Sequence, residues 1–580
     1  MITSRIPQDD TFTISNIRKC EEYVLKMQKR LDEAVANNDY KCIKTLTNIL
    51  IKRSHAVKVL AVWRITYRDT GKNTAGIDGI SIPNGTREST DYIRHRLLNA
   101  INISKKPDTI RRVYIPKANG KKRPLGIPTI HDRIIQEIIR ITLEPIAEYH
   151  FHDNSYGFRP KRRCQDAIDH LHKGLARYDR KRYILEGDIK SCFDHINHDH
   201  IAKTLYKWHI PNKVVSIINR MLKARILDKT LLNSNEGTPQ GGVISPLLAN
   251  IALTDFDNFV AERFGTISYH GGKHRQSPMI RYADDFVILC RSRYNAEMIK
   301  SEIMDYLSEH VGLTISDEKT CITHIRRGFD FLGFTLKKHR KLGVKQPEGI
   351  KDYTLLITPS REKVISILQN CKEVIDKHKE SDQKLLIKLL NSKLRGWCLF
   401  YKHVNSKTTF AKIDYAMWNK TLRWGLRRHS NKSRKWVLSK YFTPKGKSLY
   451  FETEDFALHR LMDIPIERYV KVVKGKRVYN KADNDYWINR EKKLMYRTLY
   501  NGIRKSLYRK QKGICPQCKI PFSISDKMDA HHIIPKALGG TDKQSNLSLL
   551  HAECHRDTHR SVGSLGKRAG SSYPNLSTDL

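Results

Sequence analysis

No apolar run in the 580 residues reaches the roughly 18 that a membrane-crossing helix needs, so no membrane span is expected. The opening, MITSRIPQDDTF, lacks the basic-then-apolar order of a secretion signal. There is no repeat of fixed period and no low-complexity tract, which excludes solenoids and fibrous arrays. Acidic residues are scarce: 60 Asp and Glu stand against 106 Lys and Arg, a net charge of +46. Such a chain repels itself unless a polyanion neutralises it, so nucleic acid is the expected partner, not a membrane. Cysteine is sparse too, at 11. Eight are scattered singly, while Cys515, Cys518 and Cys554 gather near the C-terminus among histidines. That odd, uneven set argues against a disulfide framework and for an intracellular setting. What the chain does have is 39% apolar residues, enough for several cores, and length for about four compact units.

Residues 13–70 carry apolar positions every three or four residues and read as helical. Residues 73–83 are a Gly-rich loop. Residues 111–128 predict a hairpin about Asn119-Gly120, and 131–148 a helix. Residues 183–188, 279–290 and 329–336 read as buried strands, with helical patterns at 201–223 and 295–310 between them. Beyond about residue 360 no strands are expected, and 361–430 reads as helices carrying aromatics. Basic charge is heaviest late: 419–436 holds seven Lys/Arg and no acid, and 490–512 holds nine against one Glu. The mixture predicts a multidomain α+β protein.

The segment IRYADDFVILC sets Asp284 and Asp285 between two apolar half-strands. Alone, it reads equally as a polar turn. A second apolar strand, in YILEGDIKSCF, ends in Asp188. Carboxylates at strand ends can converge on hard cations such as Mg²⁺, and two such ions about 4 Å apart suit nucleotidyl transfer. At the other end, Cys515 and Cys518 form a C-x₂-C pair, and His551 and Cys554 repeat its spacing. Two such pairs are the donor set of a closed tetrahedral Zn²⁺ site.

In order along the chain, IPKANGKKRPLGIP (115–128), SYGFRP (155–160), DIKSCFD (188–194), GTPQGGVISPLLANIAL (237–253), YADD (282–285), GLTISDEKT (312–320) and FLGFTL (331–336) resemble the blocks of reverse transcriptases. The resemblance covers roughly residues 75 to 340. It implies a right-hand polymerase with fingers and palm. Asp188, Asp284 and Asp285 would hold two Mg²⁺ ions, with Asp285 the least defined member. Lys117 and Arg123 would meet the incoming dNTP triphosphate. Phe193 would exclude a ribose 2′-hydroxyl, and Gln240 would touch sugar or base. NTAGIDGIS (73–81) and LIKLLNSKLRGWCLFYKHV (386–404) resemble the N-terminal extension and maturase thumb of group II intron-encoded proteins. In the latter, Lys393 and Arg395 are the expected RNA contacts, and Trp397 and Tyr401 are expected in the core.

Residues 528–559 resemble the HNH nuclease motif, a ββα-metal unit. By that resemblance His532 is the general base, and Asn546 supports it or the metal. His531, His555 and His559 would hold a catalytic divalent ion, expected to be Mg²⁺. The expected layout is a helical N-terminal extension (1–70), fingers and palm (71–345), maturase thumb (346–465), basic DNA-binding region (466–510), HNH endonuclease (511–562) and flexible tail (563–580). Expected partners are the group II intron RNA, double-stranded target DNA and dNTPs. The oligomeric state is open. The expected place is the bacterial cytoplasm, at the nucleoid, with an organelle as the alternative. Two other readings follow from the same resemblance: a splicing-only RNA-binding maturase, and a domesticated reverse transcriptase.

Overall fold

The computed structural model describes residues 11–559, apart from 69, 83–86, 117–119, 121, 177–181, 191, 229–230, 233–236, 238–240, 266, 270–271, 275–276, 317, 319, 342, 344–352, 447, 500–501, 525 and 557. It begins with helices Ile14–Ala36, Tyr40–Asn48 and His55–Trp63. Each starts where a short polar side chain accepts an otherwise unpaired backbone N–H: Thr13 from Asn16, Asp39 from Cys42, Ser54 from Val57. Their apolar stripes share one core with the long helix Ile130–His150. Arg133 on that helix donates to the carbonyls of Pro128, Gly71 and Thr74, tying the Gly-rich loop to it.

The basic hairpin forms from Ile110–Pro116 and Lys122–Ile127. A second sheet, antiparallel throughout, runs in the order Cys321–His324, Tyr183–Asp188, Asp285–Cys290, Met279–Tyr282. Its side chains alternate between two cores. Leu185, Phe286, Ile288 and Cys290 face the N-terminal cluster, whereas Ile184, Val287, Leu289 and Ile280 face a second cluster built with the helices beyond residue 360. A sheet covered on both faces needs apolar residues at successive positions, which is why these strands read as unbroken apolar runs.

Two sequence expectations change. Residues 329–336 are a hairpin rather than one strand. Phe329–Phe331 pairs with Phe334–Arg340 about Leu332-Gly333, whose φ values are 51° and 82°. Two left-handed residues match the twist of the flanking strands, and the apolar Leu332 disguised the turn. Strand Tyr353–Pro359 completes that sheet. Strands also recur past residue 360. After helices Arg361–Lys377, Gln383–Tyr401, Lys407–Arg428 and Arg434–Tyr441 comes a hairpin of Phe442–Lys445 and Ser448–Phe451, turned at Gly446 with φ 60°.

The last unit pairs Met528–His532 with Leu547–His551, and helical residues 552–556 follow. Its apolar floor, including Phe522, Leu547 and Leu549, belongs to the same core cluster as the N-terminal helices. Residues 465–498 run between the two as a strap. Arg490 donates to both oxygens of Asp166 at 2.8 and 3.0 Å, both side chains being 1% exposed. Arg477 reaches Asp32 at 3.2 Å, Lys481 reaches Glu33 at 2.6 Å, and the Tyr479 hydroxyl donates to Glu144 at 2.9 Å. These polar groups of the expected DNA-binding region, 466–510, are paired internally. Among the described residues no helix is long and apolar enough to cross a membrane.

Candidate active sites

Asp188 closes its strand directly opposite Asp285, and Asp285 is also paired with Tyr282. Opposed residues on neighbouring strands present their side chains to the same face. Asp284 therefore sits in a two-residue turn with Ala283, whose φ of 60° is left-handed. An alanine held there is strained by about 1–2 kcal/mol, so the surroundings must enforce it. The carbonyl of Asp284 accepts from Ile189 N–H at 3.3 Å, and that of Asp188 accepts from Ser316 N–H at 2.8 Å. The three acids are thus gathered at one end of the two central strands. Asp188 and Asp284 are half-buried and Asp285 is exposed. Burial, and then the charges of Asp284 and Asp188, push the nearby Cys192 thiol up to about 12.

The enforcing group is Arg281, fully buried. Its guanidinium donates twice to Asp257 (2.7 and 2.5 Å), once to Asn250 Oδ1 (3.0 Å) and once to the carbonyl of Ala283 (2.8 Å). Asn250 in turn donates to the carbonyl of Gly157 at 2.8 Å. Gly157 lies so close under the turn that a Cβ there would stand 2.3 Å from Ala283 N. The SYGFRP segment is therefore the floor of the YADD turn. Sequence reading passed over Arg281, although a lone cation in an apolar strand is a signal for a buried, paired charge.

Phe193 is buried on the short helix Cys192–His195, edge-on to Phe158 with ring centroids 6.2 Å apart. Gly237 precedes the PQG segment and Gly241 is its last residue. A Cβ on Gly237 would meet the Asp194 carbonyl at 2.3 Å, and one on Gly241 the Gly126 carbonyl at 2.5 Å. Gly237 therefore lies against the helix carrying Phe193, and Gly241 against the basic hairpin. Arg123 lies exposed on that hairpin, opposite Ile115. Lys117 and Gln240 lie outside the described residues. On the helix Gln383–Tyr401, Lys393 is exposed and Arg395 half-buried. Tyr401 is buried and donates to the Gly333 carbonyl at 3.1 Å, and Trp397 packs against it from a half-buried position.

Two donor clusters mark the last unit. The donor atoms of Cys515, Cys518, His551 and Cys554 all lie within 4.8 Å of one another, as do those of His531, His555 and His559. In the first, His551 Nδ1 is 3.3 Å from Cys518 Sγ, and its Nε2 is 3.2 Å from Asp526. Burial works against a charged His551 ring, but Asp526 and the thiols outweigh it and raise the ring to about 11. Four soft, buried donors with a carboxylate behind the imidazole fit one tetrahedral ion. In the second cluster, burial and then the neighbouring histidines hold His531 down to about 4, so its ring is neutral at pH 7. His531 Nδ1 is buried without a hydrogen-bond partner. His555 Nδ1 is 3.3 Å from Asp529, again a carboxylate behind a candidate ligand.

His532 sits beside this cluster, with Nε2 2.7 Å from Asp542 Oδ1. A carboxylate there keeps the ring proton on Nε2 and leaves Nδ1 to act as a base. Asp542 was not singled out from sequence. Asn546 has a bracing place: its Oδ1 accepts from Ile534 N–H at 2.8 Å, and its Nδ2 donates to the carbonyls of Ile534 (3.0 Å) and Thr541 (2.9 Å).

Comparison with known proteins follows the same division. The model for reverse transcriptase (RNA-dependent DNA polymerase) matches residues 115–336. The N-terminal domain of reverse transcriptase matches 14–90, the group II intron maturase-specific domain 364–442, and HNH endonuclease 515–561. Protein YkfC of Escherichia coli (strain K12) is 33% identical over 350 residues, covering 55% of this chain and 89% of that one. Group II intron-encoded protein LtrA of Lactococcus lactis subsp. cremoris is 30% identical over 420 residues, covering 60% and 69%. The chain belongs to the group II intron-encoded proteins. As a member of that family it carries a reverse transcriptase, a maturase domain and an HNH endonuclease, all on a polymerase fold with an HNH domain appended. It is therefore an enzyme with two active sites, and its maturase domain binds intron RNA.

Proposed function

We propose that the protein uses its two sites in sequence to insert an intron into DNA. The HNH site nicks one strand of a double-stranded target, and the polymerase copies intron RNA from the 3′-hydroxyl so made. The observation that carries this reading is that a strand-cutting histidine cluster and a carboxylate-bearing polymerase turn share one chain and one core, so one site generates the primer that the other needs. The sheet bearing Asp188 and Asp284 acts as the palm, the basic hairpin as fingers and the helices from 361 to 441 as the thumb. Asp188 and Asp284 hold two Mg²⁺ ions, which would supply activation of the primer hydroxyl and neutralise the departing pyrophosphate. Phe193 selects dNTPs, Gln240 touches sugar or base, and Lys117 and Arg123 meet the triphosphate. Asp285, opposite Asp188, would be the third carboxylate of the ion site.

In the nuclease, His532 takes the proton from water. His531, His555 and His559 would hold a divalent ion, and three imidazole donors favour a first-row transition metal over the Mg²⁺ expected from the resemblance. Cys515, Cys518, His551 and Cys554 hold a structural Zn²⁺. Lys393, Arg395 and the exposed run of Arg423, Arg427, Arg428, Lys432, Arg434 and Lys435 bind the intron RNA, which performs the splicing chemistry itself. The place of action is the cytoplasm, at the nucleoid. The test is a complex of the protein with its intron RNA on a labelled duplex of the joined exons. The reading requires a nick in one strand and cDNA covalently extended from that nick. A nick whose 3′ end is never extended, with dNTPs and Mg²⁺ present, would overturn it.

A further inference from the structure

The loop that follows His532 exposes three large aliphatic side chains within six residues: Ile533 is 59% exposed, Ile534 53% and Leu538 66%. Single exposed aliphatics are ordinary, but three beside a catalytic base on a rigid support are not scatter. Rigidity is shown by the backbone. Ile533 N–H donates to the Asn546 carbonyl at 2.8 Å, and the Asn546 side chain pins both the N–H and the carbonyl of Ile534. Leu538 and Gly540 N–H both donate to the Pro535 carbonyl, at 2.9 and 3.1 Å. Gly539 takes a φ of 83°, and a Cβ on Gly540 would fall 1.8 Å from the Ile534 carbonyl oxygen. Asp542 closes the loop by holding His532 on one oxygen and Lys536 on the other, at 2.7 and 2.8 Å.

We propose that Ile533, Ile534 and Leu538 form an apolar wedge that enters the target duplex and unstacks the base step next to the bond to be cut. This rests on the nuclease reading of His532. The occupant follows from continuity with that site: a backbone phosphate within reach of His532 brings the neighbouring base steps to a loop that starts at the very next residue. Exposed Lys543, just past the loop, suits an adjoining phosphate. Aliphatic side chains inserted between base steps kink a duplex, and a pre-formed wedge on a braced loop does so without ordering costs of its own. Kinking would also carry the phosphate toward the ion-holding histidines.

The experiment uses the full-length protein with its intron RNA and a joined-exon duplex carrying 2-aminopurine at successive positions around the nick. The compared protein is Ile533→Ser with Leu538→Ser, two exposed positions whose change leaves the loop's backbone bonds in place. With the unsubstituted protein, fluorescence should rise at one step beside the nick. The double variant should lose that rise and nick the paired duplex at least about tenfold more slowly. It should nick a duplex mismatched at that step within about twofold of the unsubstituted protein, because the unstacking is already done. Unchanged nicking of the paired duplex overturns the wedge, as does an equal loss on paired and mismatched duplexes. Failure of the unsubstituted protein to nick either duplex removes the nuclease reading, and the wedge with it, and is distinct from both.

Discussion

Arg281 has effects well beyond its own contacts. Its guanidinium joins a helix acid, a helix amide and the carbonyl of a left-handed alanine, so the position of Asp284 depends on it. Asp257→Ala leaves that buried cation without its carboxylate and should cost about 3–5 kcal/mol, measured as a shift of the denaturant midpoint. Arg281→Lys keeps the charge but cannot bridge three partners at once. It should lower kcat for cDNA synthesis about tenfold or more while leaving target nicking unchanged. Unchanged kcat would remove Arg281 as the positioning residue. Asp284→Ala should abolish cDNA synthesis and leave RNA-assisted splicing largely intact, and parallel loss of splicing in a folded variant would refute that division of labour. The acids of this site are legible in sequence because adjacent charges interrupt an apolar run. The clamp is not, because Asp257 and Asn250 lie 24 and 31 residues before the strand residue Arg281, on two separate helices, and no periodicity announces such a meeting.

At the scale of elements, sequence reading succeeded where one period dominates and failed at short turns. The capped N-terminal helices have a clear period, and the doubly buried sheet strands show as unbroken apolar runs. The Leu332-Gly333 turn sits inside an apolar run, and the hairpin of Phe442–Lys445 and Ser448–Phe451 is too short and too basic to show alternation. The nuclease unit shows a different limit. Its ligand-type residues stand out by spacing, but Asp526, Asp529 and Asp542, which lie behind His551, His555 and His532, are ordinary acids until the fold sets them there. A structural ion at Cys515, Cys518, His551 and Cys554 predicts that Cys515→Ser releases one Zn²⁺ per chain and ends nicking, while cDNA synthesis on a primed RNA template persists; metal analysis with both assays checks this.

The helix Gln383–Tyr401 and the turn after it carry a pH prediction. Burial, and then Lys402, hold His403 down to about 4. An unfolded histidine takes up its proton near pH 6.5. Below that pH the unfolded state binds more protons, so His403 lowers stability progressively as pH falls from 6.5 to about 4. His403→Gln should flatten that part of the stability profile, measured as melting temperature against pH; an unchanged slope would contradict the neutral, buried ring.

Across the whole molecule, the +46 charge is divided between two tasks. Arg477, Lys481 and Arg490 in the strap are paired with Asp32, Glu33 and Asp166 and hold the C-terminal part against the N-terminal helices and the sheet. Arg423, Lys432, Arg434 and Lys435 are exposed and suit a polyanion, while Arg427 pairs with Asp376 and Arg428 donates to the Ser381 carbonyl. Composition could announce the polyanion but not this partition, since it depends on which acids the fold brings opposite. The shared core of nuclease and N-terminal helices makes the chain one body, as expected if the product of one site must reach the other.

That dependence is tested most directly by giving the polymerase its primer. His532→Ala in the protein–RNA complex should give neither a nick nor cDNA on an intact joined-exon duplex. On the same duplex already nicked at the expected position, it should make cDNA at close to the rate of the unsubstituted protein. cDNA attached to an intact, un-nicked duplex with His532→Ala, or none on the pre-nicked one, would contradict the account.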